Sequence, residues 1–529
     1  MPIERWSPSQ AKTEQEERLL SRLKRTRKLF RFLREHRHEL FDDSFQAELE
    51  SMYRDTGAGK PAVPPALMAM ATLLQGYVGA SDAEAIELTV VDLRWQMVLG
   101  RLGATTPAFS QGGLYDFRQR LITHGLDRRL LEKTRELARR TKGFDYKKVE
   151  GLRVAMDSAP LEGAGRVEDT INLLGHAARN VVRCAAELLG LSPETVARKA
   201  GVPVLLAPSI KQGLDRTWSE AGQKEAAVEE LAKQIQSLRR WLESDLPDQL
   251  KKPPLEQHVA TLNQIVTQDL DGDGTRIRQG VAKDRRVSIE DAEMRHGRKS
   301  SSKRFDGYKR HVGRDLDDGL VLACAVTPAN VPEAEAASAL NEDIEAHGEE
   351  IGELYIDRGY VSSPLVEELL ARGGEVVCRP WQQRNGELFS KEDFTIDLDA
   401  LTVTCPAGQT MPMKLGSVVT FPPKVCGSCG LRPECTKAKT KGRSVRIAAD
   451  ERFQQGLREK AKTPEGRARL RERVPVEHGL AHAVNRQGRR ARYLGVRKNL
   501  YDLRRACSIQ NLEAGQLSLD RAERARAAA

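Results

Sequence analysis

Two aspartates stand at the ends of apolar runs, where an unpaired carboxylate would be costly to bury. Asp157 follows the run Leu152–Met156, and Asp357 follows "GELYI" at residues 352–356. If both runs are central strands, a compensating cation is expected beside each acid. Ligands of open α/β sheets bind in the crevice beside the strand ends. Two carboxylates from adjacent strands can there share the oxygen ligation of Mg²⁺.

Each aspartate also has a purely structural interpretation. The acid could cap the helix that follows it, or pair with a neighbouring arginine such as Arg358. Gly359 permits a close turn away from the strand, and Tyr360 can pack beneath that turn. For a single acid, the residues alone leave the structural and the metal-binding interpretations open.

A third acid is normally needed to hold two metal ions, which together activate the attacking oxygen and stabilise the leaving oxygen of a phosphodiester displacement. The best candidate is Glu477 in "RERVPVEHG", because Pro475 suits the first turn of a helix. Arg473 stands four residues earlier, within reach of Glu477 on a helix. Spacing alone leaves Glu465 and Glu472 as alternatives.

The elements that must position these acids alternate between strand and helix. The pattern predicts a strand, a hairpin, a strand, a helix, a strand, a helix and a strand, which indicates a mixed α/β sheet covered by helices. The first 40 or so residues read as a charged helical arm that packs lightly. Ser110 is a candidate N-cap for a helix that serves either recognition or plain packing. The predicted segments are 1–145 (helical), 146–169 (first part of the core), 170–275 (helical insertion), 276–395 (core continued), 396–445 (cysteine-rich), 446–515 (C-terminal helices) and 516–529 (charged tail).

The net charge of +10 comes from 85 basic and 75 acidic residues, so its distribution matters more than its total. Residues 295–314 carry eight Lys or Arg against one acid, and residues 486–505 carry the same numbers. Solvated helix faces would explain either cluster alone, but two dense clusters favour nucleic acid. The candidate phosphate contacts are Arg298, Lys299, Lys303, Arg304, Lys309, Arg473, Arg486, Arg489 and Arg490.

Four of the eight cysteines are concentrated in one region. Their spacing includes a C-x2-C pair and suits a tetrahedral structural Zn²⁺ site, although unligated thiols in a loop are the alternative. These four are Cys405, Cys426, Cys429 and Cys435. The other four stand alone in apolar settings and are predicted to be core residues, namely Cys184, Cys324, Cys378 and Cys507.

Length and composition exclude a single small domain and predict several packed cores. We find no uninterrupted run of about 18 apolar residues and no apolar signal core at the start. These features predict a cytoplasmic protein without a membrane partner.

The chain resembles the DDE transposases of bacterial insertion sequences. The resemblance covers most of the chain and rests on "VAMDS", "YIDRGY", "RVPVEH" and "RQGRRARYLGVRKNLYDLRRACSIQNL". "DRGY" is similar to the family's acid-x-glycine-aromatic signature, and Arg473 and Glu477 keep its arginine-to-glutamate spacing. The tyrosine and lysine of the family's longer pattern are replaced here by Leu470 and Val484.

This resemblance implies a ribonuclease-H-like catalytic core, preceded by a helical DNA-binding region. Asp157, Asp357 and Glu477 would hold two Mg²⁺ or Mn²⁺ ions. The implied reaction is hydrolysis at the terminal inverted repeats of double-stranded DNA, followed by attack of the freed 3′-hydroxyl on target DNA. A homodimer in a synaptic complex and association with the nucleoid are also implied. The alternatives are a nuclease with the same core, or a catalytically silent DNA-binding descendant of a transposase.

Overall fold

The N-terminal part of the protein is helical. The computed structural model describes residues 4–23, 28–53, 62–142, 151–300, 302–381 and 383–528, so the predicted boundary between residues 145 and 146 lies outside the described residues. The helices are α1 (Glu14–Arg22), α2 (Leu29–Leu40), α3 (Asp43–Glu50), α4 (Pro65–Val78), α5 (Asp82–Val91), α6 (Leu93–Leu99), α7 (Gln111–Thr123) and α8 (Leu126–Lys142).

These helices share one hydrophobic core. Phe30 and Leu33 of α2 are fully buried in it, so the prediction of a lightly packed arm was wrong. The apolar residues of α2 recur at helical spacing, which gives the helix one face that packs inward despite its many bases. Ser110 caps α7 as predicted, accepting a hydrogen bond from the Gly113 N–H. Arg118 of α7 is buried in an ion pair with Asp82, which favours a packing role for that side chain.

A long strand, β1 (Leu152–Glu162), leads into a set of helices that pack on one another. Val228, Leu231, Ile235 and Leu238, which recur at helical spacing in the sequence, are buried in the core of this set. That core draws its buried residues only from positions 171–270. The helices are α9 (Thr170–Leu189), α10 (Pro193–Lys199), α11 (Ile210–Gly213), α12 (Gln223–Asp245) and α13 (Leu255–Asp269).

The remaining strands of the main sheet follow in sequence and make the protein a mixed α/β fold, as predicted. β1 lies between the antiparallel β3 and the parallel β5, and β6 extends the sheet beyond β5. Both β2 and β4 pair with β3. The elements are β2 (Arg295–Arg298), β3 (Arg304–Asp315), β4 (Val321–Pro328), α14 (Ala336–Glu345), β5 (Ile351–Ile356), α15 (Pro364–Ala371) and β6 (Glu375–Cys378).

Asp157 does not end its strand, contrary to the prediction. β1 continues to Glu162, five residues further. Its pairing with β5 stops at Ala155 opposite Tyr355, whereas its pairing with β3 continues to Glu162 opposite Gly307. The apolar run stops where β1 leaves β5, because the strand beyond that point no longer lies inside the sheet.

Two small sheets and six helices complete the described part of the chain. The small sheets have a hydrophobic core of their own, which includes Val403, Phe421 and Ile447. The last helix packs against α4, α8 and β4 and so joins the N-terminal helices to the main sheet. The elements are β7 (Thr395–Asp397), β8 (Thr402–Thr404), β9 (Thr410–Pro412), β10 (Val418–Thr420), α16 (Pro423–Gly427), α17 (Arg432–Cys435), β11 (Ser444–Arg446), α18 (Glu451–Lys462), α19 (Pro464–Arg471), α20 (Val474–Gln487) and α21 (Val496–Ala528).

Candidate active site

The register of the sheet brings the two aspartates to one level. Ala155 of β1 lies opposite Tyr355 of β5 in parallel pairing. Asp157 and Asp357 each stand two residues beyond that pair. Neighbouring strands are about 4.8 Å apart, and both aspartates line the same cavity of about 650 Å³. The cavity therefore opens where the two parallel strands separate.

Backbone N–H groups hold one oxygen of each carboxylate. Ser158 N–H donates to Asp157 Oδ1 over 2.9 Å, and Gly359 N–H donates to Asp357 Oδ1 over 2.9 Å. Asp357 thus caps the short 3-10 turn after β5, as the structural interpretation predicts. The Arg358 guanidinium lies instead over the Trp381 ring, 5.6 Å from its centroid. Capping uses only part of the carboxylate and is compatible with ligand binding at the cavity.

Glu477 reaches the same cavity from the opposite side, in the first turn of α20. α20 is held on the sheet by Val476 and Leu480, which share a core with Ala155 of β1. The alternative acids lie elsewhere, because Glu472 pairs with Arg153 and Glu465 lines a separate cavity.

Arg473 lies between two of the acids. Its Nη2 donates to Glu477 Oε1 over 2.8 Å, and its Nη1 is 3.5 Å from Asp157 Oδ1. The buried Nη1 finds no hydrogen-bond acceptor among the described residues. Burial raises the pKa of Asp157, the Arg473 charge opposes this shift, and the charges of Asp357 and Glu477 add to it. The guanidinium therefore supplies positive charge at a point where carboxylates repel one another.

The donor set fits a hard divalent cation, since carboxylate oxygens are the ligands that Mg²⁺ and Mn²⁺ prefer. A positively charged group already stands between Asp157 and Glu477. As the side chains stand, however, the described part of the chain contains no group of three or more His, Cys, Asp or Glu residues that could hold a metal ion. Joint ligation by all three acids would require Arg473 to move away from them.

A buried pair of aromatic rings supports the site from below. Tyr360 and His311 are fully buried, and Tyr360 Oη lies 2.7 Å from His311 Nδ1. Burial lowers the pKa of His311 to about 3, so its ring is neutral. Burial also raises the pKa of Tyr360 well above its usual range, and the nearby charges of Glu333, Asp157 and Asp357 act in the same direction.

Basic side chains surround the acids. Seven of the nine predicted phosphate contacts line the same cavity, namely Arg298, Lys299, Lys303, Arg304, Lys309, Arg473 and Arg489. The other two do not. Arg486 is engaged by both carboxylate oxygens of Glu513, and Arg490 donates to the carbonyls of Gly163 and Ala164 beside a neighbouring groove.

Four polar residues of the cavity were not predicted from the sequence: Ser158, Glu162, Glu333 and Asn485. Glu162 accepts a hydrogen bond from Arg489. Ser158 follows Asp157 directly, but the alternation of side chains along a strand would place it on the opposite face, so no signal in the sequence indicated it. Glu333 stands in "NVPEAEAA" after β4, where the sequence offers two glutamates without a signal to distinguish them. Leu470 and Val484 replace the tyrosine and lysine of the family's longer pattern. Val484 lines the cavity, whereas Leu470 packs into the core beneath α20.

The four concentrated cysteines come together in space. Cys405, Cys426, Cys429 and Cys435 line one small cavity of about 30 Å³, between the β8–β9 turn and the helices α16 and α17. Burial raises the pKa of Cys435, and the other three thiols add to that shift. Here too, the described residues do not form a group arranged to hold a metal ion. The other four cysteines are buried, as predicted.

The main sheet of this α/β protein opens into a cavity that is lined by acids and surrounded by basic side chains. This combination of charges at one cavity is expected of an enzyme that acts on nucleic acid. Comparison with family models makes the class specific: residues 404–514 match a transposase DDE domain, and residues 18–120 match a transposase domain (DUF772). Both matches support a DDE-type transposase of an insertion element. The first match contains Glu477, while Asp157 and Asp357 lie outside both.

The family implies a DNA substrate and an enzyme that cleaves and transfers DNA. No curated protein matches the chain. Among the described residues, no helix is both long enough and apolar enough to cross a bilayer.

Proposed function

We propose that this protein binds the ends of an insertion sequence and catalyses metal-dependent cleavage and 3′-hydroxyl strand transfer. Asp157, Asp357 and Glu477 would hold the divalent ions. The observation that carries the proposal is the parallel register of β1 and β5, which places both aspartates at one level in a cavity that α20 closes with Glu477. Divalent ions bound there would activate the attacking oxygen and stabilise the leaving oxygen.

The strand order supports a ribonuclease-H-like core. In this core, an antiparallel pair flanks one side of β1 and two parallel strands extend the other. α14 precedes β5 and α15 connects β5 to β6, and the crevice lies where β1 leaves β5, just beyond Ala155 and Tyr355. The fold thus supplies rigid positions for two of the acids, while the third is carried by a helix that packs on the sheet.

The chain's own residues have distinct tasks in this proposal. Arg473 would balance the carboxylates in the free protein and contact a DNA phosphate when the acids bind ions. The exposed bases of the β2–β3 hairpin and Arg489 would hold the DNA backbone, with Arg486 and Arg490 serving the fold. The N-terminal region, residues 1–145, would contact the terminal repeats, and joining two ends would require two copies of the chain. We place the protein in the cytoplasm, on the nucleoid.

Removing either aspartate charge tests the proposal. Asp157→Asn and Asp357→Asn are each expected to abolish Mg²⁺-dependent cleavage of a labelled insertion-sequence end, by at least about 100-fold, because each removes a ligand charge. Binding of that end should remain within a few-fold of the wild type. Cleavage at the normal rate by either variant would remove that acid from the site. Glu472→Gln, at an acid outside the cavity, is the matched control for Glu477→Gln.

The same substrate separates the alternatives. A pre-cleaved end with a free 3′-hydroxyl is expected to become joined to target DNA. A nuclease with this core would cut the end without joining it, and a silent DNA-binding descendant would bind the end without doing either.

We also propose a structural Zn²⁺ held by the four convergent cysteines. Convergence of thiols from three separate segments on one small cavity supports it, and thiolates are the ligands that structural Zn²⁺ prefers. Metal analysis of the purified protein should find one zinc per chain, and Cys429→Ser should lose it. Cys378→Ser, at a buried cysteine elsewhere, should keep it. Absence of stoichiometric zinc from the wild type would contradict this proposal.

A further inference from the structure

Glu333 is a fourth carboxylate of the acidic cavity. It opens the 3-10 turn Glu333–Glu335, which follows β4 and precedes α14. Its side chain is half-buried and lines the cavity together with Asp157, Asp357 and Glu477. It therefore reaches the site from a segment that carries none of the other three acids.

Each carboxylate oxygen of Glu333 contacts a residue that follows one of the two aspartates in the chain. Ser158, the residue after Asp157, donates from Oγ to Glu333 Oε1 over 2.6 Å. Glu333 Oε2 lies so close to Gly359, two residues after Asp357, that a Cβ at position 359 would overlap it. The glycine thus leaves space that the carboxylate fills, and the carboxylate joins the two acid-bearing strands.

The cavity that Glu333 lines also holds bases, of which Lys309 donates from Nζ to the Val331 carbonyl and not to Glu333. Within the ranges that the structure describes, no Lys or Arg forms an ion pair with it, whereas Arg473 balances Asp157 and Glu477. The buried Tyr360 lies close enough to Glu333 for the carboxylate charge to help raise the pKa of the tyrosine hydroxyl, after burial as the main cause. An anionic side chain held in place among other anions is costly unless a cation joins them.

We propose that Glu333 binds the divalent cation together with Asp157 and Asp357. In this arrangement, three carboxylates come from the strands of the sheet and the turns that follow them. Glu477 on α20 adds a fourth. The inference rests on the proposed function, because it assumes the same cation site. As the side chains stand, the described acids do not form a group that could hold the ion, so the carboxylates of Glu333, Asp157 and Asp357 would have to close on it when it binds.

Mn²⁺ binding to the full-length protein without DNA tests this role, with free Mn²⁺ measured by its electron paramagnetic resonance signal. Glu333→Gln is expected to weaken binding by at least about tenfold, as should Asp157→Asn. Glu335→Gln, an exposed glutamate on the same turn, is the matched control and should bind like the wild type. Thermal unfolding without metal checks that each variant is folded.

Two further variants separate a ligand from a structural contact. Ser158→Ala removes the hydrogen bond but keeps the carboxylate, so it should keep most of the Mn²⁺ affinity. Equal losses in Ser158→Ala and Glu333→Gln would overturn the inference in favour of a purely structural contact. If Glu333→Gln does not fold, Glu333→Asp decides instead, because its shorter side chain should give an intermediate affinity and wild-type affinity would contradict ligation.

Failure of the inference differs from failure of the proposed function. Wild-type Mn²⁺ affinity in Glu333→Gln, with affinity lost in Asp157→Asn, would overturn the role of Glu333 alone. Wild-type affinity in Asp157→Asn and Asp357→Asn as well would overturn the cation site itself, and the inference with it.

Discussion

His311 is a buried neutral base directly behind the candidate active site. It lies on β3 opposite Ser158 of β1, between the hydroxyls of Tyr360 and Thr327. Burial and the charge of Lys309 both lower its pKa, to about 3. The two hydroxyls fix the ring through hydrogen bonds at both nitrogens, so protonation would disturb the support of both aspartates.

Acidification should therefore destabilise the protein partly through His311. In the unfolded chain this histidine takes up a proton below its usual pKa of 6.5, while in the folded protein it stays neutral until about pH 3. Its stabilising contribution is present above pH 6.5 and is lost as the pH falls towards 3, by about 1.4 kcal/mol per pH unit. His311→Gln should reduce the slope of unfolding free energy against pH between 6.5 and 4.5, measured by urea denaturation.

The exposed His478 provides the matched control. The drop in slope expected for His311→Gln is measured against His478→Gln, which replaces a histidine by glutamine in the same way at an exposed position. A buried His347, whose pKa burial also lowers to about 3, keeps part of the slope in both variants. An unchanged slope in His311→Gln would show that this ring titrates alike in the folded and unfolded chain.

At the same scale, counting charges does not distinguish bases at the surface from bases in the core. In the cluster 295–314, Arg310 is fully buried and donates to Gln487 and to two backbone carbonyls. Lys309, the residue before it on β3, lines the cavity. Successive side chains of a strand point to opposite faces, so a run of bases on a covered strand divides between surface and core. The sequence does not reveal which face is covered.

At the scale of elements, the strands were predictable and their register was not. Apolar runs ending at Asp157 and Asp357 indicated two strands, and both exist. The meeting of the two aspartates depends on pairing Ala155 with Tyr355, 200 residues apart in the chain. Such pairing is decided by packing across the sheet, which no local pattern encodes. The continuation of β1 past Asp157 was missed for the same reason, because β3 is the partner that sustains it.

Gly307 is the residue that lets β3 pass close to the end of β1. Its φ of +146° is strained for other residues, and a Cβ would overlap backbone atoms of Leu161 and Gly163. Gly307→Ala is expected to destabilise the protein by at least about 2 kcal/mol, measured as a lower midpoint of thermal unfolding. Cleavage should fall as well, because β3 carries the basic hairpin to the cavity.

Gly313 on the same strand is the control for this prediction. It has no positive φ, and the nearest atom to an added Cβ would be the Ala323 methyl carbon at 3.3 Å. Gly313→Ala should cost less than Gly307→Ala, since a small side-chain shift relieves that contact. Equal costs would mean that the close approach of β1 and β3 does not limit the fold.

At the scale of the whole molecule, α21 connects parts that are far apart in the sequence. Arg504 donates to Asp343 of α14 and to Asp127 of α8, and Tyr501 packs in the core of the N-terminal helices. The basic cluster 486–505 is therefore partly internal. The sequence of this cluster is part of the resemblance from which the family was predicted. Only the assembled fold shows which of its bases bind other groups of the protein.

The DNA path should run over the exposed hairpin bases rather than over the whole basic surface. Lys299 and Lys303 flank the β2–β3 turn, are exposed, and line the acidic cavity. Each phosphate neutralised contributes about 0.9 to the slope of log affinity against log salt. The double variant Lys299→Ala with Lys303→Ala should thus lower that slope by about 2 in fluorescence-anisotropy titrations of a duplex end.

Charge alone would predict the same loss from any two bases. Lys251 and Lys252 are also exposed, do not line the cavity, and follow α12 in the helical insertion. Replacing both by alanine changes the net charge equally, yet should leave the salt slope within about 0.5 of the wild type. If both double variants lowered the slope equally, DNA binding would depend on the total charge of the protein. That result would contradict the prediction that the hairpin lysines contact the DNA.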